Sequence, residues 1–238
     1  MMISPESYYE FELKGKTREE ILTCIRSLKQ QMGTLKNHME NPHYEQELVC
    51  PTPDTELYWT REYLAMAKRA FAEAGGEYHE SAAEKRSAAF LERLDDLKKI
   101  EFNIGGYFGG HNVYQLEVTD NGLHLTGMHY PEEQPLPTGL CEIILENGAE
   151  IKTAKDLFDY FLGMHIEEWR RYYDTERFGY MICDGTQWEL RLEYSNGHRP
   201  WISGGSNCYP WNFYDLVQLF GEPDPRAVVE EDEDDEDY

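Results

Sequence analysis

Side chains able to do chemistry crowd the distal half of the chain, where residues 160–220 hold 15 of the 32 aromatic residues. Trp169, Tyr173, Trp188, Trp201, Tyr209 and Trp211, together with Asp184 and Asn207, form the candidate binding set. Such rings stack on a sugar, a base or a peptide, and they are the residue types of interface hot spots. Asp184, Glu189, Glu193 and Asp215 are near in sequence, and two carboxylates flanking a sugar would make a glycosidase pair. The plainer reading is core volume. Trp188, Leu190, Leu192 and Tyr194 alternate with Gln187, Glu189, Arg191 and Glu193, the pattern of a strand buried on one side.

Other motifs stop short of a reaction. Gly105-Gly106-Tyr107-Phe108-Gly109-Gly110-His111-Asn112 would let a ligand approach the backbone, but it lacks the Lys-Ser/Thr of a phosphate loop and dinucleotide-loop spacing. A bent or bulged strand, or a loop, accounts for it. The eight histidines include no H-E-x-x-H; His165 precedes Glu167 and Glu168 without a second histidine at i+4. His124 and His129 would face opposite sides of a strand. No metal centre, cofactor or catalytic residue is expected. Ser203-Gly204-Gly205-Ser206 is not a nucleophile elbow. Cys24, Cys50, Cys141, Cys183 and Cys208 are dispersed and odd in number, as free thiols of a reducing compartment would be.

The elements that must hold these groups divide at about residue 100. Thr17 with Glu20 makes a reciprocal capping pattern, followed by Ile21, Ile25, Leu28, Met32, Leu35 and Met39 on one stripe of a helix about 34 Å long. Asn41-Pro42 ends it. A second helix over about 55–74 carries Leu64, Ala67, Phe71 and Ala74 and stops at Gly75-Gly76. Ser81 with Glu84 opens a third, bearing Phe90, Leu91, Leu94 and Leu97. Beyond Lys99, Tyr114, Leu116 and Val118 alternate with polar residues. Asn121-Gly122 predicts a hairpin with Val118 opposite Leu125. Cys141–Leu145 and Glu150–Ile151 predict a second hairpin around Asn147-Gly148. Asn196-Gly197 turns a third, with Leu192 against Trp201. Helices are expected from Thr153, over Ile166–Tyr173, and after a cap at Asn212. The expected fold is α+β: an N-terminal helical bundle or hairpin (1–99), an antiparallel sheet region with packed helices (100–225), and a disordered acidic tail (226–238).

Asp184-Gly185-Thr186-Gln187-Trp188-Glu189-Leu190, then Gly204-Gly205-Ser206-Asn207-Cys208-Tyr209-Pro210 and Asn212-Phe213, resembles a pattern in uncharacterised bacterial proteins. There a W-x-L strand precedes a G-x-N-x-Y-P turn and an N-F-initiated helix. Ser4-Pro5-Glu6-Ser7-Tyr8-Tyr9 with Leu13-Lys14-Gly15-Lys16-Thr17 is similar to the opening of hypothetical proteins of low-GC Gram-positive bacteria. The resemblance covers about a third of the chain, and the single glycine usual before Ser-Asn is doubled here. The family has no assigned activity, so the resemblance implies no catalytic residues.

Charge narrows the partners. The formal net charge of −24 is spread over the body as well as the tail, and it opposes contact with phosphate backbones or anionic lipid. No apolar run approaches the roughly 18 residues of a membrane span, and the N-terminus lacks a signal-peptide pattern. The expectation is a non-enzymatic cytoplasmic protein acting through a protein partner, basic in its contact surface. Its sharper form is an inhibitor filling a basic nucleic-acid channel in phage–host conflict. The alternative is a small-molecule or glycan-binding protein, or a hydrolase, with an aromatic-walled cleft. Either is compatible with homo-oligomers formed through the Ile21–Met39 stripe.

Overall fold

Helices begin after Thr17, Ser81 and Thr153, where the sequence offers a reciprocal cap. In the computed structural model, which describes residues 3–44, 49–106, 108–136, 139–140, 143–182 and 184–227, a short helix α1 (Pro5–Tyr8) runs into a π turn (Tyr9–Leu13). Helix α2 (Arg18–Met39) starts with the Thr17–Glu20 capping box, each side chain satisfying a backbone N–H of the other. Helix α3 (Pro53–Glu73) places Pro53 in its first turn, where a missing N–H costs nothing. It closes in a Schellman motif: Gly75, at φ +77°, donates to the Ala72 carbonyl and Gly76 to that of Phe71. Ile21, Ile25 and Leu28 of α2 meet Ala67, Ala70 and Phe71 of α3, with Leu13 sealing the end. Further along, Met32 and Met39 close over Leu57. The Ile21–Met39 stripe is thus buried within one chain, as a hairpin of two helices.

Helix α4 (Ala82–Leu91), opened by the Ser81–Glu84 capping box, leaves that pair and joins the sheet. Its Phe90, with Leu94 and Leu97 beyond it, belongs to the sheet's core. The sheet has eight strands: β1 (Leu97–Gly106), β2 (Gly110–Thr119), β3 (Gly122–Tyr130), β4 (Gln134–Pro135), β5 (Gly139–Leu140), β8 (Tyr172–Tyr173), β9 (Thr186–Tyr194) and β10 (Trp201–Ser206). Their order is β4-β3-β2-β1-β9-β10-β8, with β5 also on β3. A separate small hairpin joins β6 (Ile143–Ile144) to β7 (Glu150–Ile151). All the pairs are antiparallel except β10 with β8. The fold is α+β, as the residue pattern predicts, with one parallel pair added.

Ile100, Phe102 and Ile104 of β1 face Leu192, Leu190 and Trp188 of β9 in register. Helix α4, helix α5 (Ala154–Met164) and helix α6 (Phe213–Gln218) contribute side chains to the core on that side, where Phe102 stacks on Phe220 at 4.8 Å. Each fully buried Leu or Phe there contributes about 1.5–3 kcal/mol. On the other side Lys99, Glu101, Arg191 and Glu193 pair with one another across β1 and β9.

Four local expectations change. The third helix stops at Leu91, which is exposed, so Leu94 falls in a 3₁₀ turn (Leu94–Asp96) and Leu97 opens β1. The β2–β3 turn uses Asp120 and Asn121, so Val118 pairs with Leu123 and Leu116 with Leu125. Gly122, at φ +121°, enters the strand instead of the turn. The two-residue slide keeps every side chain on its predicted face. Ile166–Tyr173 is a 3₁₀ turn (Ile166–Glu168) followed by β8, because His165 at φ 52° breaks the helix before it. Asn212 occupies the N-cap position of α6 but makes no cap bond. The glycine-rich stretch is the β1–β2 hairpin end, with Gly106 opposite Gly110. Leu192 pairs with Trp201 as predicted. Cys141 and Cys183 and the tail from 228 onward lie outside the described residues. Arg226, at the head of that tail, pairs with Asp224 and donates to the Pro210 and Trp211 carbonyls.

Candidate functional site

The predicted binding rings are packed into the sheet's core. Trp188 touches Trp169, Tyr173 and Phe213 at centroid distances of 6.0, 5.7 and 4.7 Å. Tyr209 lies against Phe213. Trp169, Tyr173, Trp188 and Tyr209 are buried, and Trp201 and Trp211 are half-buried. The polar tips are used internally: Trp188 Nε1 donates to the Cys208 carbonyl, Trp169 Nε1 to Asn212 Oδ1, and Tyr173 OH accepts from the Arg170 N–H. Burial pushes the Tyr173 phenol far above its ordinary range. Asp184 is exposed, and its carbonyl accepts from Asn207 Nδ2. Asn207 Oδ1 accepts from the Thr186 N–H. Residues 184–190 and 204–213 therefore lock β9, β10 and α6 together.

Among the described residues, the His129 ring nitrogens face Asn112 and Glu132, that of His165 faces Glu167 and that of His198 faces Asp96. Cys24, Cys50 and Cys208 are free thiols. Cys208 is fully buried, and burial pushes it up to about 11, the opposite of nucleophile activation.

The aromatic-walled concavity lies instead on the helical hairpin. A groove of about 540 Å³ runs between the N-terminal segment, α2 and α3. Tyr63 fixes its floor: its OH donates to the Ile3 carbonyl and accepts from the Ile3 N–H, laying the N-terminus across α3. Tyr8 then stacks on Tyr63 at 4.3 Å and 12°, and Trp59 stands one turn back on α3, 6.2 Å from Tyr63. Trp59 and Tyr63 share a face because they are four residues apart. The charged residues of the wall are both acidic, Glu12 and Glu56. Glu56 Oε1 accepts from Gln31 Nε2 at 2.6 Å. Lys16 stands beside the groove, 3.6 Å from both Glu12 and the Cys24 sulfur. Burial first, then Cys24 and Glu12, push the Tyr8 phenol up to about 12. Ring faces beside carboxylates hold a cation. The sequence signal was the Trp59–Tyr63 spacing, masked by the denser aromatics downstream.

A seam joins the hairpin to the sheet. Glu168 accepts from Lys36 Nζ and Arg61 Nη2, both at 2.7 Å. Burial alone would raise the Glu168 carboxyl, but these two cations reverse that and bring it down to about 2. The same cations lie over the Trp211 ring, 4.9 and 5.6 Å from its centroid. Buried Glu40 pairs with Arg170 and Arg177. These pairs bridge the helical hairpin and the sheet region.

No family model, curated protein or solved structure matches the chain. Among the described residues no helix is long and apolar enough to cross a membrane.

Proposed function

We propose that this chain is a non-enzymatic binding protein for a basic protein partner, and that the α2–α3 groove receives a lysine or arginine side chain of that partner. The observation that carries the reading is the wall itself, where the rings of Tyr8, Trp59 and Tyr63 stand with Glu12 and Glu56. A cation over such a ring gains about 0.5–2 kcal/mol, more as water is excluded. The net charge of −24 adds long-range attraction for a basic surface and speeds encounter at low salt. An inhibitor that fills the nucleic-acid channel of its partner is the sharper form of the same reading, and it rests on charge alone.

The test is a calorimetric titration of the full chain with an arginine- and lysine-rich peptide, with a glutamine-rich peptide of equal length as control. Saturable binding of the basic peptide is expected, weakened at least fivefold by Trp59→Ala and by Glu56→Gln but unchanged by Glu117→Gln on the sheet. Equal losses from all three substitutions would reduce the effect to diffuse charge and reject the groove.

A further inference from the structure

Glu167 is a carboxylate whose burial the groove does not explain. Its side chain is 8% exposed. Oε1 lies 3.2 Å from His165 Nδ1, and Oε2 is shut away from solvent with no hydrogen-bond partner. An ionised carboxylate is strongly disfavoured in such a place unless a cation answers it. Neither cation of the seam contacts it, because Lys36 and Arg61 both sit on Glu168. They saturate Glu168 Oε2, while Oε1 receives only a 3.3 Å contact from Arg61 Nε. A ring nitrogen of His165 and one oxygen from each of Glu167 and Glu168 lie within 4.8 Å of one another.

We propose that His165, Glu167 and Glu168 bind a divalent transition-metal ion of the zinc type. One imidazole with two carboxylates suits zinc, whereas calcium and magnesium take all-oxygen sets. The 3.2 Å separation of Nδ1 and Oε1 is close to the edge of a tetrahedral site, roughly 3.3 Å for bonds of about 2.0–2.1 Å. Lys36 and Arg61 both pair with Glu168, so Glu167 is the carboxylate that neither of them contacts and the one free to turn to the ion. His165, with its side chain 36% exposed, offers the way in. An ion here would pin the end of α5 to the seam, on residues separate from the groove.

The full chain, stripped with EDTA and returned to reducing buffer, is titrated with zinc chloride by calorimetry, and cobalt(II) absorption reports the geometry. One site per chain with micromolar or tighter affinity is expected, with tetrahedral cobalt bands and a raised Tm. His165→Asn, which tolerates the left-handed backbone, and Glu167→Gln, which keeps the shape, should each weaken that site at least tenfold. The proposal is overturned if no such site is seen, or if either variant binds zinc as the parent does. It is also overturned if zinc leaves Tm unmoved while acidification through the histidine range raises it in the parent and not in His165→Asn, since an imidazolium would then be the cation.

Discussion

Asn207, held in the left-handed region at φ 51°, uses both ends of its amide to bind the Thr186 N–H and the Asp184 carbonyl. Between those two groups Gly185 sits at φ +122°, where an added Cβ would come within 2.1 Å of Asn207 Oδ1. Asn207→Ala strands one donor and one acceptor, so a loss of about 1–3 kcal/mol is expected in urea unfolding. Gly185→Ala should cost more, because backbone strain and collision act together. These residues were conspicuous in the sequence for the glycines and the Tyr-Pro around them. Their use was not, since a motif that closes a strand–turn–helix junction and one that binds a ligand are written in the same residue types.

At the level of elements, the reciprocal capping boxes were the legible part. Thr17–Glu20, Ser81–Glu84 and Thr153–Asp156 are all formed capping boxes, because the reciprocal bonds need only a three-residue spacing. Strand β1 is unannounced in the sequence although Ile100, Phe102 and Ile104 alternate with Glu101 and Asn103, since no turn residue marks its start. The break at His165 was illegible for a related reason: a left-handed histidine carries no glycine to announce it. Glu84 shows how an element end becomes a junction. Besides capping α4 it accepts from Lys29 of α2, Lys68 of α3 and the Tyr78 hydroxyl. Burial would raise this carboxyl, yet those donors hold it well below the carboxylate range. Glu84→Gln should therefore lower stability at neutral pH by about 1–3 kcal/mol, measured by urea unfolding. The same substitution should flatten the fall in stability below pH 4.5.

For the whole molecule, a second source of acid sensitivity lies where the hairpin meets the sheet. Glu168 titrates at about 2 in the folded chain, below its ordinary value of 4.5. Its stabilisation is complete above pH 4.5 and is lost as pH falls toward 2, because the unfolded chain binds the proton first. Circular dichroism melts from pH 6 to pH 2 should show Tm falling steeply in the parent and more gently in Glu168→Gln, which starts lower. Trp211 lies at this same boundary, its ring against Lys36 and Arg61 while its carbonyl accepts from Arg226. Indole emission changes colour with the charges around it, so this tryptophan is a built-in optical gauge. If the helices lift away from the strands as acid releases Glu168, its fluorescence will report the parting before the interior melts.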